Sequence, residues 1–446
     1  MAQFFQPKTN KNKKMSPKIN LNVSHLDHLG AGVARHNGKV VFISGALPEE
    51  EVSAQLIEQK KNFAKAKLLK VVQPSAERTK PVCQHYGSCG GCDLQHASID
   101  VQHKHKLAAL QEQVSKSIPL TDVEVSSLVG ESWHYRRRAK LATSFDQSSH
   151  KLQLGFRKLN SKAVAEIEHC PILDKSLLPV MEQLSACLNQ LKAKKTLGHI
   201  ELISAEHGPF VVVRITKKLN ATDKSTLEDF ASKYQVNLLL QNNDGQFESL
   251  HGDEHIPSYL VTIPDQQSLE LSFNIGSFVQ VNADINNKMV VQAMQWLAPK
   301  QGETIIDLFC GMGNFSLPIA QAGANVIGVE GIDSAVEQAR YNAKQNGIEN
   351  TEFYSCDLSG DLSRQPWLIK ADKLLLDPAR AGAFDCLQHL EKLDPKKVVY
   401  VSCNPASLAR DTSVLISHGY QLQKLSMIDM FPQTHHIEAM ALFVKK

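Results

Sequence analysis

The sequence predicts a multidomain chain: an N-terminal OB-like β-barrel, a central α+β domain and a C-terminal α/β domain of Rossmann-like, doubly wound type. Three observations carry this. A length of 446 residues exceeds what one hydrophobic core ordinarily serves. The early part of the chain holds short strand-like runs separated by turn signals. From Asn282 onward, helical and buried-strand patterns alternate, as in a parallel sheet covered by helices. The expected divisions are a basic flexible tail over 1–14, the barrel over 15–73, the central domain over 74–265 and the α/β domain over 266–446.

Composition bounds the setting. The net charge of +3, from 49 basic and 46 acidic residues, announces no polyanion partner, but five lysines and no acid stand between Met1 and Leu26. No apolar run reaches the length of a membrane span, and the N-terminus lacks the apolar stretch of a signal peptide. A cytoplasmic protein with no membrane partner is expected. There, nine cysteines point to metal ligation, catalysis or burial rather than to disulfides.

In the barrel, Asn37-Gly38 sits between two strand-like runs in Gly32-Val-Ala-Arg-His-Asn-Gly-Lys-Val-Val-Phe-Ile43, a type I′ hairpin signal. Val52-Ser-Ala-Gln-Leu-Ile57 alternates, and Lys60-Lys-Asn-Phe-Ala-Lys-Ala-Lys67 interleaves lysines with Phe63, which suits phosphate contact plus base stacking. Residues 74–81 read as a linker, 99–116 as a helix, and 139–145, 152–156 and 210–215 as strands. In the α/β domain, 285–297 reads as a helix, with strands at 304–309, 324–330, 373–376 and 398–402.

Cys83-Gln-His-Tyr-Gly-Ser-Cys89-Gly-Gly-Cys92 places three thiols in a loop that glycine allows to wrap around one metal centre. Cys170-Pro171 is the natural fourth ligand. Spacing leaves iron–sulfur and zinc both open, since His85, His96 and His169 lie close by.

Asp307-Leu-Phe-Cys-Gly-Met-Gly-Asn-Phe315 lies where a buried strand turns into a helix. Its glycines permit close backbone approach to a nucleotide-type cofactor. The next strand ends in Glu330, where a carboxylate can accept from two ribose hydroxyls, and the third ends near Asp357, within reach of an adenine amine. A dinucleotide fingerprint would carry a third glycine where Phe315-Ser316 stands. Asp377, in Lys373-Leu-Leu-Leu-Asp-Pro-Ala-Arg380, and Cys403, in Val398-Val-Tyr-Val-Ser-Cys-Asn-Pro405, fall at strand C-termini facing the ligand crevice. A thiol so placed, near helix N-termini, can be poised as a thiolate. Cys310, Cys356 and Cys386 are rival thiols without a comparable setting. For a general base nearby, Phe431-Pro-Gln-Thr-His-His-Ile-Glu438 offers Glu438, His435 and His436, and spacing does not choose among them.

Assembled, these motifs resemble the RNA 5-methyluridine methyltransferases over nearly the whole chain, in particular the bacterial branch acting on 23S ribosomal RNA. The resemblance rests on a TRAM-type barrel, Cys83-x5-Cys-Gly-Gly-Cys92, Phe278-Val-Gln-Val-Asn282, the 307–315 turn, Asp377-Pro-Ala-Arg380, Ser402-Cys-Asn-Pro405 and His436-Ile-Glu438. It implies a [4Fe-4S] cluster on Cys83, Cys89, Cys92 and Cys170. It implies S-adenosylmethionine (SAM) contacts from Gln280, Phe309, Asn314, Glu330, Asp357 and Asp377. It makes Cys403 a nucleophile, Glu438 the base and Phe278 an aromatic contact for the substrate uracil. Arg136, Arg137 and Arg138 are expected at the RNA backbone. The implied partner is 23S ribosomal RNA, naked or in an assembling large subunit, with the target uridine flipped out and the enzyme a monomer. The chemistry is coherent with the residues: uracil C5 is a poor nucleophile until a sulfur adds at C6, and covalent addition splits one hard step into easier ones. Exocyclic amines are usually held by an Asn-Pro-Pro-aromatic peptide, and Asp377-Pro-Ala-Arg380 occupies that place.

Overall fold

Asn37 and Gly38 both adopt positive φ, 49° and 78°, which matches the twist of the two strands they join and seats Gly32–His36 against Lys39–Ser44. The computed structural model describes residues 18–252 and 256–446, and the basic tail expected over 1–14 lies outside them. The hairpin belongs to a six-stranded sheet in the order Lys18–Asn22, Glu51–Gln59, Phe63–Gln73, Lys39–Ser44, Gly32–His36, His25–Leu26. Alternation puts Val41, Ile43, Val52 and Ala54 on its inner side with Ala34, Ala64 and Ala66, small residues that let the sheet fold closely over its core. Arg78 donates to the buried Glu50 carboxylate at 2.5 and 2.9 Å and to the Gly45 carbonyl, so the expected linker is strapped to this sheet.

The described chain forms two compact units, one running to Lys80 with His96–Val101, the other Pro81–Gln95 with Gln102–Lys446. In the second, a seven-stranded sheet runs Val164–Glu166, Lys151–Arg157, Arg138–Asp146, Leu197–Ala205, Gly208–Ile215, Asn237–Gln241, Phe247–His251. The helices Leu178–Gln190 and Ala221–Tyr234 bury Leu184, Leu188 and Leu227 in its core.

The eight-stranded sheet of the same unit runs Thr351–Ser355, Asn325–Glu330, Thr304–Leu308, Lys373–Leu376, Lys397–Ser402, Glu438–Lys445, Tyr420–Ile428, Glu124–Leu128. The first five are parallel, with their short Val/Ile/Leu runs buried between two hydrophobic layers. Glu438–Lys445 then pairs antiparallel with both neighbours. The strand order reverses beside Thr304–Leu308, which opens a crevice at the C-terminal ends of the parallel strands. Glu124–Leu128 lies in the segment assigned from sequence to the central domain, yet it pairs parallel with Tyr420–Ile428.

The helix Ile99–Ser115 carries a fully buried ammonium. Lys106 Nζ donates to Asp429 Oδ1 at 2.7 Å and to the Phe431 carbonyl at 3.0 Å, and the His103 ring lies 2.9 Å from Asp429 Oδ2. Breaking a buried pair from one side leaves a naked charge. Asp429→Ala is therefore expected to lower unfolding free energy by about 3–5 kcal/mol, and the double change Lys106→Met/Asp429→Leu by much less, as read by urea denaturation.

Candidate active site

The strand Thr304–Leu308 ends in a turn with three left-handed residues: Phe309 (φ 66°), Gly311 (54°) and Gly313 (95°). Phe309 pays a conformational cost that glycine would not. The turn is held because the Phe309 and Cys310 amides both donate to the Val329 carbonyl, at 2.8 and 3.1 Å. Glu330 splints it from the next strand, accepting from the Gly311 amide (3.1 Å) and the Ile332 amide (3.1 Å). Beneath the turn, buried Asp307 accepts from Ser316 Oγ at 2.5 Å, and burial pushes its carboxyl up to about 7.

The other residues expected to meet the cofactor stand as follows. Asn314 exchanges hydrogen bonds with Asn286 (3.0 and 3.1 Å) and accepts from the Tyr259 hydroxyl at 3.0 Å. Asp377 begins where Lys373–Leu376 ends, and burial, then the Glu330 charge, pushes it up to about 7. Asp357 stands exposed after Thr351–Ser355, one oxygen accepting from the Ser359 amide and hydroxyl, which hold its carboxyl below the usual range. The Gln280 carbonyl accepts from Arg137 Nε at 2.7 Å. A glycine turn, a splinting acid and further acids at adjacent strand ends fit a nucleoside-bearing cofactor such as SAM.

A cavity of about 450 Å³ opens beside this crevice, with Cys403, Glu438, His436, Phe278, Arg136 and Arg380 on its walls. Cys403 follows the strand Lys397–Ser402 at a sharp corner: Asn404 caps the helix Pro405–Ser417 through the Ala406 amide and donates to the Arg380 carbonyl. The pairing of Ser402 with Ala439, continued one step, sets Cys403 against Glu438. Glu438 is only 5% exposed, and its Oε2 has no hydrogen-bond partner among the described residues. Burial, then the Asp377 charge, pushes its carboxyl up to about 8.

The Cys403 thiol departs from the expectation of a poised thiolate. Burial, then the charges of Glu438 and Asp377, push it up, and Arg380 opposes them only in part. Of the three base candidates, Glu438 and His436 line the cavity. His435 is instead engaged by Asp93, with Nδ1 2.5 Å from Oδ2 and its amide donating to Oδ1 at 2.9 Å.

Cys83, Cys89, Cys92 and Cys170 line the same cavity, and His85, His96 and His169 are not among its walls. Burial pushes the Cys92 thiol up to about 12 and Cys170 up to about 11, and the neighbouring thiols add to both shifts. Among the described residues, no three His, Cys, Asp or Glu side chains converge closely enough to hold a single metal ion.

Phe278 is 75% exposed at the cavity. The three arginines separate: Arg136 faces the cavity, while Arg137, 4% exposed, stacks 4.1 Å over the Tyr259 ring. Arg138 pairs with Glu201 at 2.5 Å and donates to the Ser277 carbonyl. Arg137 and Arg138 thus brace the segment bearing Phe278 and Gln280 from within. Sequence reading missed this bracing, and also Arg380 and Asp93; only Arg380, in the Asp-Pro-Ala-Arg peptide, carried a visible signal.

A doubly wound sheet with a glycine turn and acids at the strand ends fits a methyltransferase, and residues 299–430 match the methyltransferase domain family. The chain belongs to the tRNA (uracil-5-)-methyltransferase family, which it matches over residues 98–364, with a TRAM domain over 18–69. It is 58% identical over 445 residues to a Shewanella sp. (strain ANA-3) protein named 23S rRNA (uracil(1939)-C(5))-methyltransferase RlmD, covering 99% of each. Identity to the protein of that name from Shewanella halifaxensis is 55%, covering 100% of each. The fold matches Pyrococcus abyssi tRNA (uracil-54, C5)-methyltransferase in complex with S-adenosyl-L-homocysteine at a TM-score of 0.75 and 24% identity, covering 96% of this chain and 100% of that one.

The charges around Cys403 give opposite expectations for two variants. Arg380→Ala removes the group that favours the thiolate, so Cys403 alkylation by iodoacetamide should require higher pH. Glu438→Gln removes an opposing charge and should shift the alkylation profile to lower pH, read by mass spectrometry of the Cys403 peptide.

Proposed function

We propose that this protein methylates C5 of a uridine in 23S ribosomal RNA, with SAM as methyl donor, Cys403 as nucleophile and Glu438 as base. The carrying observation is the register that sets Cys403 against Glu438 on one cavity, beside the cofactor turn. The names of the full-length relatives supply the RNA and the base position.

The Cys403 thiol gives up its proton to solvent through the cavity as the uracil enters. Its sulfur bonds to C6, and the C5=C6 pair moves into the ring as an enolate. SAM, when bound, supplies an electrophilic sulfonium methyl for C5. Glu438, as carboxylate, takes the C5 proton, the C5=C6 bond re-forms, and the C6–S bond breaks to return the thiolate. A carboxylate buried among apolar groups binds that proton more strongly than one in water, which suits the raised Glu438. Glu330 would hold the ribose hydroxyls and Asp357 the adenine amine, with Gln280, Phe309, Asn314 and Asp377 completing the pocket. Phe278 would stack on the flipped base and Arg136 meet a phosphate. The six-stranded sheet, as an OB-type barrel, would add further backbone contact.

A [4Fe-4S] cluster is the fitting occupant of the four-cysteine wall. A single tetrahedral zinc would draw its sulfurs to within roughly 4 Å of one another. Four cysteines on one wall, with no histidine among them, supply the all-thiolate donor set that such a cluster takes. Held by Cys83, Cys89, Cys92 and Cys170, it would cross-link two distant loops and hold their thiolates ionised. Protein purified without oxygen should contain iron and acid-labile sulfide; stoichiometric zinc without iron would refute the assignment.

Nucleoside mass spectrometry of 23S ribosomal RNA should show one 5-methyluridine that disappears when the protein is deleted and returns with wild type but not with Cys403→Ala. A 5-methylcytidine product, or activity in Cys403→Ala, would overturn the proposal.

A further inference from the structure

Glu438 opens its strand directly after a loop, 429–437, that has no regular structure of its own. Such a loop would leave the entry to the strand loose unless something outside it fixed its backbone. In this structure groups distant in sequence do so almost residue by residue. The Phe431 carbonyl accepts from Lys106, and the Pro432 carbonyl accepts from the Tyr135 hydroxyl at 3.1 Å. Gln433, held at φ 70°, exchanges two hydrogen bonds with the Gln102 side chain, at 2.9 and 3.1 Å. Its carbonyl accepts from the amides of Asp93 and Leu94, at 3.1 and 3.0 Å. The Asp93 carboxylate then grips His435 twice, at the backbone amide and at the ring.

Asp93 therefore clasps the loop from both ends of one residue: its amide holds Gln433, and its side chain holds His435. It follows Cys92 directly, so the cysteine-rich loop and the loop delivering Glu438 are one hydrogen-bonded body. We infer that Asp93 is a positioning residue for proton abstraction, which fixes the Glu438 carboxylate against C5 through His435 without touching the substrate. This rests on the reading of Glu438 as the base. Cys403 enters from another strand and corner, so the inference separates two steps: adduct formation should be independent of the clasp, and adduct breakdown should depend on it. Misplacement by about 1 Å can cost on the order of 100-fold in rate.

The test measures formation and breakdown of the denaturant-resistant enzyme–RNA adduct in single turnovers with a 23S ribosomal RNA fragment and SAM. Asp93→Ala should form the methylated adduct at the wild-type rate but release product roughly 10- to 100-fold more slowly, so that adduct accumulates. Asp93→Asn keeps an acceptor for the His435 amide and should recover most of the release rate. His435→Ala removes the ring half of the clasp, away from the cysteines, and keeps the amide half; it should slow release part of the way with wild-type metal content, which covers the case of Asp93→Ala failing to fold. Formation and release slowed together in His435→Ala, or release at the wild-type rate, would overturn the inference. Glu438→Gln is the separate control: if it accumulates no methylated adduct, the reading of the base has failed, whatever the Asp93 variants do.

Discussion

The antiparallel pairing of Lys397–Ser402 with Glu438–Lys445 is the constraint on which the rest of the site depends. A strand pair has only one register that buries the right faces, since a slip by one residue turns every side chain over. Here that register is locked by Val398, Tyr400, Ala439 and Ala441 on one side of the sheet and Val399, Val401, Met440 and Leu442 on the other. A thiol and a carboxyl at the adjoining strand ends are thereby brought opposite each other, and the loop ahead of Glu438 sets the finer placement.

That placement has an electrostatic consequence. Burial pushes the Asp307 and Asp377 carboxyls up to about 7 and Glu438 up to about 8, and a neighbouring carboxylate adds to each shift. Burial, then the Glu438 and Asp377 charges, push the Cys403 thiol up as well. The site is therefore arranged to keep its protons in the free protein. Bringing a substrate ring and a cationic sulfonium into the crevice would favour the ionised forms, which couples ionisation to occupancy rather than to bulk pH.

Much of the polar sequence near the site serves to hold backbone. Arg137 and Arg138 read as a basic patch but brace the segment of Phe278 and Gln280. Gln102, Lys106 and Asp93 immobilise the loop ahead of Glu438. Buried polar groups of this kind are costly unless paired, and their pairing restricts the loops to one arrangement. Preorganisation of this sort matters most where a proton must move between fixed atoms.

The Asn37-Gly38 hairpin, the parallel strands and the glycine turn were legible because each is decided by local chemistry: permitted φ, short buried runs and close backbone approach. Asp377 and Cys403 could be placed at the crevice because a parallel α/β sheet carries its ligands at strand C-termini. Other features depend on partners far away in sequence. Glu124–Leu128 joins the large sheet only because Tyr420–Ile428, some three hundred residues on, offers it a free edge. Arg137 is buried because Tyr259 and the Gln280 carbonyl receive it. That Glu438 lies opposite Cys403 while His435 is held by Asp93 follows from strand register and a distant partner, neither of which spacing encodes. The sequence alone determined the chemical inventory and the class of fold. Tertiary structure decided which of those groups meet and in what protonation state, because burial and facing charge are properties of the packed chain.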